Sequence, residues 1–354
     1  LMIEWLDRNK YNSFSSYKGL TYYDHYQKII GWIDGKNELP SPIEVSLDPI
    51  NACNNQCYYC NSQRYLRDDP LHLKRWGIDY MEDLLCHLAQ WGVKAFCWGG
   101  GGEATLNLRL PEMTRQGVLL GMECSIITNG VNLDEDLIDA LMLCRWIGVS
   151  IDSAHPTVYK QVRGTDDCLA VLNNIKKLVA KRVQTDIAMK VLVLPETIDT
   201  IYYTCQVARE IGVQDFHVRP VDLERKDYKL SQQLNLDISR IKRIFDECHK
   251  LETPDFHVYT VTHKYNENFH VKHDFKRCWA SPLVQQICTD KKSYVCVDHR
   301  LEPRFEVQGW GSDEHRQLLR SINPEKECAR CTWGEYNRQI EEVIIEDRMC
   351  RNFP

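Results

Sequence analysis

The feature that most constrains the fold is an alternation of short apolar runs with amphipathic runs between residues 43 and 218. The apolar runs have the length of buried strands, and the amphipathic runs have the period of helices. Strands separated by helical stretches favour a parallel sheet with right-handed crossovers. The sequence therefore predicts an α/β fold built from six strand-helix units.

The element boundaries follow from the same periodicity. The predicted strands cover residues 43–47, 95–98, 124–128, 146–152, 186–194 and 215–218. The predicted helices cover residues 20–34, 77–91, 109–120, 134–143, 166–182, 198–211 and roughly 232–251. The repeat is lost after residue 255, so the C-terminal third is expected to fold differently from the middle of the chain.

The predicted domain organisation has four parts. These are an N-terminal extension at 1–42, a barrel-like unit at 43–222, a connecting helix at 223–254 and a cysteine-rich α+β domain at 255–354. At 354 residues, with 43% hydrophobic and 27% charged residues, the chain is long enough to bury a large core.

Charge and hydropathy exclude some functions. The net charge of −6 gives no basic footprint for nucleic acid. No apolar run approaches the length that spans a bilayer, and no secretory signal opens the chain. We therefore expect a cytoplasmic protein, whose 16 cysteines stay reduced and are available for metal.

Three cysteines, Cys53, Cys57 and Cys60, lie within eight residues just after the first predicted strand. Three thiolates this close can bind three irons of a 4Fe-4S cluster and leave the fourth iron open. A zinc knuckle is the alternative, but zinc sites usually show paired C-x2-C spacings with a fourth ligand nearby. Here C-x3-C is followed by C-x2-C, so the spacing favours a cluster with an open iron.

With Tyr59 directly before its last cysteine, this motif resembles the signature of the radical S-adenosylmethionine (SAM) superfamily. The resemblance implies that the open iron binds the amino and carboxylate groups of SAM. Reductive cleavage of SAM would then give a 5'-deoxyadenosyl radical that abstracts a hydrogen atom from substrate. It also implies a partial (β/α)6 barrel with its site at the C-terminal strand ends.

A second motif, Gly99-Gly100-Gly101-Gly102-Glu103, directly follows the predicted strand 95–98. Glycines allow a backbone to approach a ligand closely, although a flexible turn is the simpler interpretation of an isolated run. Its position resembles the superfamily motif that binds the amino group of SAM, which implies roles for Gly101, Gly102 and Glu103. The proline that usually follows is Ala104 here.

Polar residues at other strand ends extend this prediction. By position and resemblance, the further candidates for SAM contacts are Tyr59, Thr128, Asn129, Ser150, Asp152, Lys190 and Arg219. Each alone could be an ordinary strand-end residue, since loops collect polar side chains. Their common placement on one rim is what favours a binding site.

The C-terminal third contains a second cysteine set, Cys278, Cys296, Cys328 and Cys331. A zinc ribbon fits this count, because zinc and iron-sulfur sites share thiolate ligands. Downstream of a radical SAM barrel, the set resembles the twitch domain, a shortened SPASM module that binds one auxiliary 4Fe-4S cluster. Cys288 and Cys350 are alternative ligands, and Lys291 or Lys292 stands where the family has a glycine.

The leading functional hypothesis is oxidation of a small polar molecule, as in the twitch-bearing aminocyclitol dehydrogenase that this architecture resembles. Four protein thiolates would leave the auxiliary cluster without an open iron, which suits electron transfer. A flavodoxin or ferredoxin would supply the reducing electron. Candidate substrate-binding groups are Arg219, Glu224, Arg225 and His273, and candidate general bases are Asp152 and His155.

Three alternatives remain at this level. A radical SAM epimerase would need a thiol as hydrogen-atom donor, for which Cys97 and Cys288 are candidates, although both suit buried structural positions. A maturase of ribosomal peptides would use the same clusters, but residues 1–42 are too short for the leader-binding module that many such enzymes carry. A non-catalytic iron-sulfur electron carrier would need no SAM pocket.

Overall fold

The computed structural model describes residues 23–36, 38–60, 62, 74–221, 236–261, 275–328 and 331–345. Its centre is a ten-stranded sheet in the order β10-β9-β8-β1-β2-β3-β4-β5-β6-β7. Neighbouring strands from β8 through β1 to β7 run parallel, and β9 and β10 continue the sheet in antiparallel pairing. The sheet does not close, which confirms the predicted partial barrel.

The structure gives the element boundaries as follows. The strands are β1 (Glu44–Leu47), β2 (Ala95–Trp98), β3 (Glu123–Thr128), β4 (Trp146–Ser150), β5 (Asp186–Val193), β6 (Asp215–Pro220), β7 (His257–Thr260), β8 (Val284–Ile287), β9 (Ser293–Tyr294) and β10 (Glu306–Val307). The α-helices are Tyr23–Ile33, Ile78–Trp91, Leu110–Leu119, Glu135–Leu141, Pro156–Arg163, Cys168–Lys181, Ile201–Ile211, Ile238–His249, Asp313–Ser321, Pro324–Glu327 and Gly334–Gln339.

All six predicted strands are present, each within two residues of its expected ends. Strand β4 stops at Ser150 rather than at 152, because Asp152 turns the backbone into a positive φ of 61°. The helix Pro156–Arg163 and strand β7 were not predicted. Both are short, and the helix is mostly polar, so neither carries a clear periodic signal.

The main core lies between the parallel sheet and the helices that cross over it. Phe96 and Trp98 of β2 are fully buried, and the indole N–H of Trp98 donates to the hydroxyl of Thr114. Gly117 lets its helix approach the sheet, since a Cβ there would lie 2.4 Å from the Phe96 ring. Parallel strands covered by helices are apolar on both faces, which explains their continuous apolar runs.

The C-terminal third adds to this sheet instead of standing apart from it. Strand β8 pairs in parallel with β1, with Glu44 opposite Val284 and Leu47 opposite Ile287. A second apolar cluster includes Trp32 of the first helix and Leu319 of a C-terminal helix. The first described helix therefore packs on the C-terminal third of the chain.

The helix Ile238–His249 falls within the connecting helix predicted at 232–251, and residues 232–235 lie outside the described part. It packs on the main core through Ile241, Phe245 and Cys248. None of the described helices is both long and apolar enough to cross a membrane.

Candidate functional site

The three clustered cysteines lie on the loop that leaves β1. Cys57 is buried, and Cys53 and Cys60 are half-buried. The backbone N–H of Asn55 donates to Cys53 Sγ at 3.4 Å, and Arg163 Nη1 lies 3.8 Å from Cys57 Sγ. Hydrogen-bond donors therefore face two of the three sulfurs.

The ionisation of Cys53 shows how the three thiols act on one another. Burial raises the pKa of the Cys53 thiol to about 12, and the nearby charges of Glu103, Cys57 and Cys60 act in the same direction. A thiol in this setting loses its proton when a metal replaces it. Three neighbouring thiols, two of them facing N–H donors, fit an iron-sulfur cluster bound through three sulfurs.

The glycine motif packs directly against the start of this loop. The N–H of Gly101 donates to Asp48 Oδ1 at 3.0 Å, and the N–H of Glu103 donates to the carbonyl of Ala52 at 2.8 Å. A Cβ on Gly102 would lie 2.6 Å from the carbonyl oxygen of Ala52. The two loops can approach this closely only because the motif lacks side chains.

Glu103 ties the glycine motif to the end of β3. Its buried carboxylate accepts hydrogen bonds from Thr128 Oγ1 at 2.6 Å, from the N–H of Asn129 at 2.7 Å and from the hydroxyl of Thr105 at 2.8 Å. Burial raises the pKa of the Glu103 carboxyl, and these hydrogen bonds oppose that rise. The predicted residues Glu103, Thr128 and Asn129 thus form one connected group.

Asn129 also connects this group to the cysteine loop. Its side-chain amide donates to Asn54 Oδ1 at 2.6 Å and lies 4.0 Å from Cys53 Sγ. The C-terminal ends of β1, β2 and β3 therefore converge around the cysteines, as sequence analysis predicted for the strand-end loops.

A buried ion pair that sequence analysis missed lies on the other side of the cysteine loop. Arg163 Nε pairs with Asp152 Oδ2 at 2.7 Å, and the Tyr59 hydroxyl donates to the same oxygen. The N–H of Leu192 donates to Asp152 Oδ1 at 2.9 Å. Asp152 thus holds Tyr59 and Arg163 beside Cys57 and is engaged at both oxygens.

A cavity of about 110 Å³ opens beside this ion pair. It is lined by Tyr59, Ser150, Asp152, Arg163, Lys190, Val191, Leu192, His217 and Arg219. Ser150, Lys190 and His217 stand opposite one another on β4, β5 and β6. Five predicted residues, Tyr59, Ser150, Asp152, Lys190 and Arg219, therefore line one cavity.

Cationic side chains dominate the charge of this cavity. Burial lowers the pKa of His217 well below its usual range, and the positive charges of Lys190 and Arg219 lower it further. The imidazole is therefore neutral at physiological pH. Lys190 Nζ lies 5.0 Å from the centre of the Trp146 ring, within cation–π range.

The remaining candidates lie apart from this group or outside the described residues. His155 is exposed at the start of the helix Pro156–Arg163. Cys97 is buried, which raises the pKa of its thiol to about 12. Glu224, Arg225, His273 and Cys350 lie outside the described residues.

The four C-terminal cysteines form a second group. Burial raises the pKa of the Cys296 thiol, and the charges of Asp298, Cys278 and Cys331 raise it further. His299 Nε2 lies 3.3 Å from Cys328 Sγ, and Asn337 Nδ2 lies 3.5 Å from Cys331 Sγ. The four half-buried cysteines thus lie close enough to affect one another's ionisation, and two of the sulfurs have a nitrogen partner.

Two further observations bear on this second group. Burial raises the pKa of the Cys288 thiol, the charges of Asp48 and Asp290 raise it further, and the charge of Arg300 lowers it. Among the described residues, no three or more His, Cys, Asp or Glu side chains converge as they would around a single metal ion.

Comparison with known proteins assigns the first of these sites to a family. Residues 47–208 match the family model of the Radical SAM superfamily, and the match includes the cysteine loop, the glycine motif and strands β2 to β5. This stretch is therefore similar to a radical SAM domain. The assignment supports SAM and a SAM-binding 4Fe-4S cluster as the cofactors of this domain, and Cys53, Cys57 and Cys60 fit the cluster.

Two curated relatives resemble parts of this chain. The S-adenosylmethionine-dependent nucleotide dehydratase of Flammeovirga pacifica is 31% identical over 135 residues, which is 37% of this chain and 44% of the relative. The PqqA peptide cyclase of Granulibacter bethesdensis is 31% identical over 105 residues, 28% of this chain and 26% of the relative. The chain thus spans less than half the length of these two relatives.

Among solved structures, SuiB of Streptococcus suis has a similar fold. In its complex with S-adenosylmethionine the TM-score is 0.64 at 15% identity, over 90% of this chain and 77% of SuiB. In its complex with the precursor peptide SuiA the TM-score is also 0.64, at 13% identity, over 85% of this chain and 70% of SuiB. This structural similarity covers more of the chain than residues 47–208 and confirms the fold.

Proposed function

We propose that this protein is a radical SAM enzyme that abstracts a hydrogen atom from a peptide substrate and oxidises it. The observation that carries the proposal is the packing of the cysteine loop against the glycine motif and the end of β3. The Glu103 N–H donates to the Ala52 carbonyl, and the Asn129 side chain donates to Asn54. A 4Fe-4S cluster bound by the three cysteines would reduce SAM and release the 5'-deoxyadenosyl radical. The protein holds, orients and shields the reacting groups.

The residues around the cavity have distinct proposed roles. The backbone at Gly101 and Gly102 would contact SAM. The Gly101 N–H itself is held by Asp48, and Glu103 fixes the conformation of the motif. Lys190 and Arg219 provide positive charge for a carboxylate, either of SAM or of the substrate. Burial and the positive charges of Lys190 and Arg219 disfavour a proton on His217, so this imidazole is a neutral part of the cavity wall.

Support for a peptide substrate comes from the relatives. One of the reported sequence relatives is named a peptide cyclase, and SuiB has been solved with a precursor peptide. A cavity of about 110 Å³ is smaller than most ligand pockets and has room for about one side chain of a bound peptide. The peptide alternative therefore has more support than the small-molecule substrate expected from sequence alone.

The C-terminal cysteines complete the proposal. Cys278, Cys296, Cys328 and Cys331 would hold an auxiliary 4Fe-4S cluster in a twitch-like module. A cluster ligated by four thiolates supplies electron transfer rather than substrate binding. An enzyme that oxidises its substrate needs such an acceptor, whereas an epimerase needs a hydrogen-atom donor instead.

Oxidation of a small polar molecule is the second candidate. The modest volume of the cavity and its cationic lining suit a small anionic compound. A relative named as a nucleotide dehydratase also favours a small substrate. The experiments below separate the two substrate classes.

The first experiment tests SAM cleavage. The protein is reconstituted anaerobically with iron and sulfide and incubated with SAM and a chemical reductant, and 5'-deoxyadenosine is measured by mass spectrometry. We expect product from the parent and none when Cys53, Cys57 and Cys60 are all changed to Ala. The control is Cys86→Ala, at a half-buried cysteine outside both groups. A parent that binds iron but leaves SAM intact would favour an electron carrier.

The second experiment identifies the substrate class. Extract from cells grown in deuterated medium is separated into a peptide fraction and a small-metabolite fraction, and each is added to the reaction. Hydrogen abstraction from substrate transfers deuterium to 5'-deoxyadenosine. We expect deuterium with the peptide fraction, and deuterium with the small-metabolite fraction alone would overturn the peptide proposal in favour of the second candidate.

A further inference from the structure

The glycine motif rests on a buried carboxylate, that of Asp48. Asp48 lies between β1 and the cysteine loop, and its side chain is 1% exposed. Its Oδ1 accepts the N–H of Gly101 at 3.0 Å, and a Cβ on Gly101 would lie 2.6 Å from its Oδ2. The Asp48 carboxylate therefore holds the backbone at Gly101 in place by contact and by a hydrogen bond.

The partner of Asp48 comes from the C-terminal third of the chain. Arg300 Nε pairs with Asp48 Oδ2 at 2.8 Å, and Arg300 Nη2 donates to Gln286 Oε1 of β8 at 2.8 Å. A Cβ on Gly100 would lie 2.2 Å from Arg300 Nη2, so the guanidinium lies against the Gly100 backbone. Gly100 and Gly101 are thus packed on a buried ion pair.

Arg300 is also close in sequence to the second cysteine group. It directly follows the short 3-10 helix Val297–His299, which begins after Cys296. Within that turn, Asp298 accepts the N–H of Thr332 at 2.8 Å, and His299 contacts Cys328. Five consecutive residues therefore extend from the C-terminal cysteines to the glycine motif.

We propose that Arg300 is a positioning residue for SAM, supplied to the radical SAM domain by the C-terminal third of the chain. Arg300 fixes Asp48, and Asp48 fixes the Gly101 N–H and with it the backbone that receives SAM. SAM binding then depends on the C-terminal third through the contact of Arg300 with Asp48. This inference rests on the proposed function for its SAM ligand, but the loop contacts stand independently of it.

The test compares four variants by hydrogen exchange of residues 99–106 and by SAM affinity. Arg300→Gln leaves Asp48 without its cation, and Arg300→Lys keeps the charge but loses the planar fork. Asp48→Asn with Arg300→Gln removes both charges and keeps an oxygen for Gly101. The matched control is Arg304→Gln, because Arg304 is exposed and pairs with Glu327.

We expect faster exchange in 99–106 and a SAM dissociation constant raised roughly tenfold in Arg300→Gln, with an intermediate effect in Arg300→Lys. Arg304→Gln should match the parent. If Arg300→Gln fails to fold, the same two measurements on the double variant test the proposal, since that variant contains no unpaired buried charge. We expect it also to exchange faster than the parent.

The inference would be overturned if Arg300→Gln exchanged and bound SAM like the parent. If Arg300→Gln does not fold, the same result in the double variant would overturn it. Exchange measured without SAM tests the role of Arg300 in the loop. SAM binding by the parent tests the proposed function. A parent that binds no SAM would reject the proposed function and the SAM role of Arg300, while the exchange result would still decide whether Arg300 holds the loop.

Discussion

At the scale of single residues, Gly102 shows why the motif near the cysteine loop has no side chains. A Cβ at this position would lie 2.6 and 2.7 Å from the carbonyl oxygens of Ala52 and Ile50. Real Cβ atoms do not approach oxygen this closely, so any substitution must push the cysteine loop away. The residue directly after Ala52 is Cys53, the first proposed cluster ligand.

We therefore predict that Gly102→Ala weakens SAM binding at least tenfold and lowers the free energy of unfolding by about 1–3 kcal/mol through overpacking. Titration calorimetry and urea unfolding measure the two effects. Gly31→Ala is the control, because a Cβ at Gly31 would meet only the flexible side chain of Lys36. Unchanged SAM affinity in Gly102→Ala would show that the two loops need not be in close contact.

Arg163 is the second residue whose buried environment predicts a measurable change in stability. It pairs with Asp152 in the interior, with side chains 7% and 1% exposed, and it reaches toward Cys57. Removing one member of a buried pair leaves the other charge without compensation, and this destabilises proteins strongly.

Arg163→Gln is expected to lower the free energy of unfolding by about 3–5 kcal/mol, as measured by urea unfolding. The double variant Asp152→Asn with Arg163→Gln should regain most of this loss. Lys160→Gln on the same helix serves as the control, because its pair with Asp166 is exposed and exposed pairs contribute about 0–1 kcal/mol. Equal effects at Arg163 and Lys160 would contradict the assigned role of the buried pair.

At the scale of elements, the helix Tyr23–Ile33 connects the beginning of the chain to its C-terminal third. Trp32 is 6% exposed in the second apolar cluster, and the Arg320 guanidinium lies 4.4 Å from the centre of its ring. The indole therefore combines apolar burial with a cation–π contact.

Trp32→Ala should lower the free energy of unfolding by about 3–5 kcal/mol, the usual range for removing a buried aromatic side chain. Thermal and urea unfolding both report this loss. Leu119→Ala is the comparison, since Leu119 is 81% exposed and its truncation should be nearly neutral. A small effect at Trp32 would mean that the first helix contributes little to the C-terminal third.

The helix Asp313–Ser321 contains a buried histidine that makes stability depend on pH. His315 Nδ1 accepts the N–H of Gly311 at 3.1 Å, which requires an unprotonated nitrogen. Burial lowers the pKa of His315 from 6.5 to about 4, and the charge of Arg316 acts in the same direction.

The unfolded chain takes up this proton near pH 6.5 and the folded chain only near pH 4. The stabilising contribution is therefore complete above pH 6.5 and decreases as the pH falls to about 4, by a total of about 3 kcal/mol. Urea unfolding across this range should show a flatter pH dependence in His315→Gln. An equally flat profile in His155→Gln, at an exposed histidine, would contradict this assignment.

At the scale of the whole molecule, the features that could be predicted from the sequence are those formed by contiguous segments of the chain. Each apolar run marked a strand of the sheet, and the cysteine loop and the glycine motif are contiguous segments. Their position after β1 and β2 placed both at one edge, because parallel strands end on the same side of a sheet. The family match over residues 47–208 agrees with this prediction.

The contacts that sequence could not predict join distant segments. Asp48 pairs with Arg300, and Asp152 pairs with Arg163. A buried charge looks like any surface charge in the sequence, since burial is decided by the tertiary fold. The parallel pairing of β8 with β1 was missed for the same reason, because nothing periodic marks the C-terminal third.

The central claim is that two separate cysteine groups bind two clusters. The most direct measurement is iron per chain after anaerobic reconstitution, compared between the parent, the Cys53/Cys57/Cys60→Ala variant and the Cys278/Cys296/Cys328/Cys331→Ala variant. We predict about eight irons in the parent and about four in each variant. About four irons in the parent, with none in the first variant and zinc at the C-terminal group, would contradict the account.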